Sequence, residues 1–320
     1  MTRANARLAA ERAPKPVRDG VGGQGVLVLG TVQLGVPYGV ANRVGQPGPA
    51  AAEAILAEAA RLGVTHLDTA RAYGTSERCI GRAAPRGMRV VTKVAPLEPG
   101  ETDAARAVRE SVERSRAELG AHGERLAALL LHRMADAREG AWDVLRDHRD
   151  AGIAERIGVS VQNPAELLAA LRLPGIGYVQ LPFNLLDRRW LDPAVTGALA
   201  ARPDLVVTVR SVYLQGLLLA GRDVKWPGVP DPDRDALVAA IDALVRDLGR
   251  TGRADLCTAF ALSHPWVTSI VAGAETAAQV RDTAAATARP PLTDAERGEV
   301  LARLPAGPAD LVDPSRWRTR

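Results

Sequence analysis

From Val26 onward the chain alternates short apolar runs with amphipathic stretches, and this alternation limits its possible folds more than any other feature. The β-like runs fall at 26–32, 64–68, 89–94, 126–131, 156–161, 177–182, 205–211 and 268–273. Strands separated by helical stretches are the mark of parallel βα units, because a parallel neighbour can be reached only through a crossover. Eight such runs suit closure. The expected class is α/β, a single (β/α)8 TIM barrel over residues 21–320, behind a flexible N-terminal tail at 1–20 that has no repeating apolar face. A chain of 320 residues with 47% hydrophobic content can bury a core of that size.

The connecting stretches carry readable helix boundaries. Residues 51–62 place Ile55, Leu56, Ala59 and Leu62 on one face and stop at Gly63, while 102–119 place Ala105, Val108, Val112 and Leu119 on one face and stop at Gly120. Asn163-Pro164-Ala165-Glu166 reads as a cap residue, a proline at the first helical position and an acid three residues beyond the cap. After the seventh run, the segment 219–232 is broken by Trp226-Pro227-Gly228-Val229-Pro230, which predicts an irregular loop over the active face of the barrel.

Charge and composition exclude several roles. The formal charge of +4 comes from arginine-rich usage without a basic stripe interleaved with aromatics, so no nucleic acid partner is expected. The N-terminus lacks the apolar core of about 7–15 residues that a signal peptide needs, and no run approaches about 18 apolar residues. A cytoplasmic protein with no membrane partner is expected. Cys79 and Cys257 have no metal-ligand spacing and read as reduced thiols, so no metal site is assigned.

The chemistry centres on Leu67-Asp68-Thr69-Ala70-Arg71-Ala72-Tyr73-Gly74-Thr75-Ser76-Glu77, where a strand end carrying a carboxylate meets a loop carrying a phenol. A phenol with an ordinary pKa of about 10 donates protons poorly at neutral pH and needs a cation beside it. Lys93, one of only three lysines, ends the next run, and His132 ends the run after that. Singly, each has a bland explanation: a turn-capping Asp, a solvated lysine, a satisfied core histidine. Neighbouring strands lie about 4.8 Å apart, so at successive strand ends the groups can meet, with Asp68 holding Lys93 charged and aimed at Tyr73.

With these residues in place the sequence resembles the aldo-keto reductases, whose catalytic tetrad is Asp, Tyr, Lys and His. The resemblance runs from about 26 to 287 through Gly30-Thr31-Val32-Gln33-Leu34-Gly35, the 68–77 stretch, Ile157-Gly158-Val159-Ser160, Gln180-Leu181-Pro182-Phe183-Asn184, the segment from Arg210 to Leu218, and Val271-Ala272-Gly273-Ala274. It implies reversible NAD(P)(H)-dependent reduction of an aldehyde or ketone, with a polar, sugar-like carbonyl as the substrate guess. Tyr73 would be the general acid, Asp68 and Lys93 would tune it, and His132 would orient the carbonyl.

The resemblance also implies an extended dinucleotide across the barrel mouth. Thr31 would lie against it. Ser160 and Gln180 would hold the carboxamide, Arg210, Ser211, Leu214 and Gln215 would follow the seventh strand, and Gly273, Glu275 and Gln279 would take the adenosine end. Three departures stand out: Val161 where many members have Asn, Arg210 where many stack a tyrosine, and Glu275 where NADPH-preferring members often place Arg or Lys. Glu275 argues for NAD(H), with Arg281 on the same predicted helix as a substitute cation, whereas the resemblance favours NADP(H), which is the expected cofactor. Tyr38 is a candidate border of the substrate, and Glu77, Arg71 and Arg133 flank the site. The rival readings are a nucleotide-sensing subunit without catalysis and a redox-neutral sugar enzyme using Tyr73 and Lys93; oligomeric state is not legible.

Overall fold

The computed structural model describes residues 24–317; the tail expected at 1–20 lies outside them. Eight parallel strands close into a barrel in chain order: β1 Leu27–Gly30, β2 His66–Asp68, β3 Arg89–Lys93, β4 Ala128–Leu131, β5 Ile157–Ser160, β6 Tyr178–Pro182, β7 Val206–Arg210 and β8 Ser269–Gly273. Every predicted run holds a strand. Four end earlier than expected: β3 and β5 each stop one residue short, after β1 the chain coils at once into a short helix, α1 Val32–Gly35, and after β7 Ser211 takes φ 59°, outside the β region.

The main outer helices are α2 Pro49–Arg61, α3 Ser76–Ala83, α4 Ala104–Leu119, α5 Ala141–Asp150, α6 Pro164–Ala170, α7 Pro193–Ala200, α8 Asp231–Asp247, α9 Arg253–Leu262 and α10 Ala277–Thr287. Helix α2 buries Ile55, Leu56 and Ala59 as its periodicity predicts. In α4 the buried stripe is Ala104, Val108, Val112 and Leu119, with Ala105 partly buried against the same core. These faces pack on the outward side chains of the strands.

A second, smaller apolar cluster fills the barrel itself, built on Val91, Leu130, Tyr178 and Val206. Below it the buried amide Nε2 of Gln24 lies 3.3 Å from Tyr178 Oη, 3.0 Å from Thr208 Oγ1 and 2.6 Å from Ser269 Oγ, closing the N-terminal end with a polar network. Side chains alternate across a strand, so the inward residue two positions beyond each filler stands at the C-terminal mouth. That parity takes Val91 to Lys93, Leu130 to His132, Tyr178 to Gln180 and Thr208 to Arg210. Among the described residues no helix is long and apolar enough to cross a membrane.

The cap read at Asn163 is built as expected: its side chain accepts from Glu166 N at 3.0 Å, and Glu166 Oε2 accepts from Gln162 N at 2.8 Å. Replacing Asn163 with Ala removes a partner from an otherwise orphaned helix amide, and we expect a loss of about 1 kcal/mol. Urea unfolding checks this; an unchanged midpoint contradicts the role of the cap.

Candidate active site

The predicted acid and lysine meet at the barrel mouth. Lys93 Nζ donates to both Asp68 oxygens at 2.8 Å and to Thr69 O at 2.9 Å, with Lys93 1% and Asp68 4% exposed. Burial works against the ammonium, but the attraction of Asp68 outweighs it and Lys93 stands above the ordinary lysine value. Asp68 also accepts from Gln180 Nε2 at 2.8 Å. The three protons of the ammonium are thus committed, and Lys93 reaches Tyr73 through space, with Nζ 5.1 Å from the ring centroid.

Tyr73 is held by its loop. Thr69 N donates to Val91 O and Arg71 N to Lys93 O, both at 2.9 Å, so the chain beyond β2 continues to ride on β3. Ser76 Oγ lies 2.9 Å from Thr31 O and 2.8 Å from Thr31 Oγ1, and Thr31 Oγ1 donates to Asp68 O at 2.8 Å. Two glycines let this loop sit against α1. A Cβ on Gly35 would fall 1.8 Å from Tyr73 O, and one on Gly74, at φ 54°, would fall 2.4 Å from Gly35 O.

His132 completes the group, its ring edge-on to Tyr73 with centroids 5.8 Å apart. Burial, then the charges of Lys93, Arg210 and Arg133, push its pKa down to about 3, so the imidazole is neutral through the physiological range. Its Nδ1 is buried without a hydrogen-bond partner.

A cavity of about 1280 Å³ opens over these residues. Asp68, Tyr73 and His132 line it, together with Thr31, Ser160 and Arg210; Ser211 and Gln215 after β7 line it too, as do Gly273 at the end of β8 and Glu275 and Gln279 beyond it. Lys93, Gln180 and Leu214 stand outside the lining, each fully or almost fully buried. The residues after β7 are unusual: Ser211, Leu214 and Gln215 all adopt positive φ, at 59°, 47° and 53°. Strained backbone of this kind collects at binding sites, where the surroundings hold it in place.

Tyr38 and Arg133 border the cavity, as does part of the predicted loop at Leu219, Ala220 and Asp223, whereas Trp226 turns inward and is buried. Glu77 and Arg71 pair with each other at 2.7 Å, and Glu77 takes a further bond from Thr92 Oγ1, so their part is to fasten α3. Arg281 pairs with Glu58 of α2 at 3.2 Å instead of supplying a cation beside Glu275.

The sequence reading missed Gln33, which lines the cavity with a buried, unpartnered Oε1, and Gln162, which holds Arg210. A polar side chain inside Thr31-Val32-Gln33-Leu34 was the available signal for the first. The second had none, because Gln162 is itself held by Asp313, 151 residues away.

The family model described as the aldo/keto reductase family matches residues 26–302. The aldo-keto reductase AKR11C1 from Bacillus halodurans, in its holo form, is similar in structure, with a TM-score of 0.74 and 21% identity over 92% of this chain and 96% of that one. The glycerol dehydrogenase AKR11B4 from Gluconobacter oxydans gives a TM-score of 0.71 and 21% identity over 91% of this chain and 96% of that one. At that identity the likeness speaks to the fold alone. No curated protein sequence matches the chain.

Removing one partner of the buried pair strands the other. We expect Lys93→Met to cost about 3–5 kcal/mol, part of which Asp68→Asn in the same chain restores. The raised pKa of Lys93 means that its contribution is complete below the ordinary lysine value and fades only as pH rises through the raised one. Unfolding of the single and double variants at neutral and alkaline pH checks both; equal stability of Lys93→Met and wild type contradicts the assignment.

Proposed function

Because the chain belongs to the aldo/keto reductase family, we propose that it reversibly reduces an aldehyde or ketone to an alcohol with a nicotinamide cofactor, Tyr73 being the proton donor. The observation that carries the reading is the convergence of a buried Lys93–Asp68 pair and a neutral His132 on the Tyr73 ring, beneath a cavity of about 1280 Å³.

Tyr73 gives its proton to the oxygen of the reacting carbonyl. The negative charge left on the phenol is stabilised by Lys93, an ammonium that Asp68 keeps charged and that cannot turn away, because its donors are held. His132 aligns the carbonyl. With Nδ1 buried and partnerless, placing the proton on Nε2 leaves only a lone pair unmet instead of a stranded N–H, and Nε2–H becomes the donor to the substrate oxygen. In the reverse direction the Tyr73 oxygen takes the proton from the alcohol.

The nicotinamide cofactor supplies the hydride, which no side chain can provide. The residues suit such a group: Gln33 on the cavity wall carries a buried acceptor, Oε1, without a partner, and Ser211 and Gln215 of the turn after β7 line another wall. Ser160 would hold the carboxamide, with Gln180 behind it on Asp68, Arg210 would lie beside the ring, and Ser211 and Gln215 would follow the chain of phosphates, backed by the buried Leu214. Thr31 would contact the cofactor as part of the wall, since its hydroxyl is engaged with Asp68 and Ser76.

At the adenosine end, near Gly273, the expectation of NADP(H) meets opposing charges. Glu275 and Asp282 line that end, Gln279 is neutral and donates no charge, and Arg281 faces Glu58. A carboxylate repels a 2′-phosphate but accepts from a free 2′-hydroxyl, which supports NAD(H). The proposed substrate is a polar carbonyl compound, bordered by Tyr38, Arg133 and Glu166.

Tyr73→Phe is expected to lower kcat by about 10²–10⁴-fold with cofactor affinity retained; full activity of the variant on a carbonyl panel removes Tyr73 from its role. Since His132 sits at about 3, the profile of kcat/KM for reduction should show no protonation limb near its ordinary value of 6.5; such a limb, absent in His132→Gln, contradicts the neutral imidazole. Glu275→Arg should move the affinity ratio towards NADPH, measured by tryptophan-fluorescence titration of both reduced nucleotides. An unmoved ratio places the adenosine end elsewhere.

A further inference from the structure

Arg43, Arg133, Arg210 and Arg253 line the cavity. Three of them are ion-paired: Arg43 with Asp223, Arg133 with Asp136 and Arg253 with Asp242. Arg210 differs. Among the described residues it has no carboxylate partner, and its Nη2 donates to neutral acceptors, Gln162 Oε1 at 2.6 Å and Val161 O at 3.4 Å. Gln162 is fixed in turn, its Nε2 donating to Asp313 Oδ1 at 2.7 Å.

Val161 and Gln162 follow β5, whereas Arg210 ends β7, so the guanidinium reaches across the end of the intervening β6. It is held in place at the mouth of the barrel, and its charge acts on the reacting centre: it adds to the burial and the Lys93 charge that lower His132, and it works against the net raising of Lys93. A guanidinium keeps its charge at any working pH. Among the described residues that line the cavity, Arg210 is the arginine without a carboxylate in direct ion-pair contact.

Hydride and proton add to adjacent atoms of one carbonyl bond, and reacting atoms have to approach to about 3–3.5 Å. A nicotinamide ring that serves Tyr73 would therefore be held beside it, in the cavity that Arg210 also lines. The oxidised ring carries a positive charge and the reduced ring carries none. We propose that Arg210 makes the site discriminate between the two forms of the cofactor, retaining the neutral reduced ring and repelling the cationic oxidised one. This rests on the reductase reading above. By linkage, the balance on the protein between alcohol with oxidised cofactor and carbonyl with reduced cofactor is drawn towards the second pair.

The test is the pair of dissociation constants for the reduced and oxidised forms of whichever nucleotide binds better, by fluorescence titration and calorimetry, for wild type, Arg210→Met and Arg210→Lys. Two unit charges a few ångströms apart in a partly buried site change affinity by about tenfold or more. Wild type should bind the reduced form at least about tenfold more tightly than the oxidised form, Arg210→Met should bring the ratio near unity mainly by tightening the oxidised form, and Arg210→Lys should keep the wild-type ratio. Equal constants in wild type overturn the proposal even if Arg210→Met does not fold, and so does an unchanged ratio in a folded Arg210→Met. An unchanged ratio together with a raised KM only for carbonyl substrates bearing a carboxylate overturns it in favour of substrate-charge recognition. Binding of neither form by folded wild type is a distinct result and removes the reductase reading along with this one.

Discussion

The buried pair of Asp68 and Lys93 is the interaction on which the rest of the site depends. Two charges at 1% and 4% exposure are tolerable only with their hydrogen bonds met, and here the ammonium has three acceptors while the carboxylate takes a further bond from Gln180. Those bonds join β2, β3 and β6 across the barrel mouth. The backbone of Asp68 receives Thr31, which in turn contacts Ser76 at the start of α3, so the loop carrying Tyr73 is bound at both ends to the same centre. The pair places a fixed positive charge under a phenol, and the fold supplies the means to keep it dry.

That arrangement follows from strand parity. One inward face has to fill the barrel with Val91, Leu130 and Tyr178 and, two residues later, to present Lys93, His132 and Gln180. A register slip of one residue would send the polar groups into the helix layer and the apolar ones to the mouth. Packing and chemistry therefore select the same register. The short strands, three to five residues each, leave the polar groups at the point where backbone pairing ends and the cavity begins.

Much of this was legible in the chain because it is written in local patterns. Apolar runs alternating with capped helices gave the barrel, and Asp68, Tyr73, Lys93 and His132 could be paired because successive strand ends are neighbours in any such barrel. The cap at Asn163 needed only four residues. What the sequence did not display depends on contacts between distant segments: the Gln162–Asp313 bond that steadies Arg210, the bond of Arg281 to Glu58, and the inward turn of Trp226. The commitment of all three Lys93 protons was equally hidden, since Thr69 O enters through the path of the backbone, which residue types do not specify. The left-handed turn at Ser211, Leu214 and Gln215 goes against local preference, and only its surroundings account for it.

The central claim is that Asp68, Lys93 and Tyr73 act on the substrate as one unit. Single-turnover reduction of a carbonyl substrate by the cofactor-loaded protein, compared for Asp68→Asn, Tyr73→Phe and the double variant, tests it most directly. Residues of one catalytic unit are strongly non-additive, so the double variant should be no slower than Tyr73→Phe alone. If the two losses instead multiply, Asp68 acts independently of the phenol, and the chain of influence from carboxylate to ammonium to tyrosine is wrong.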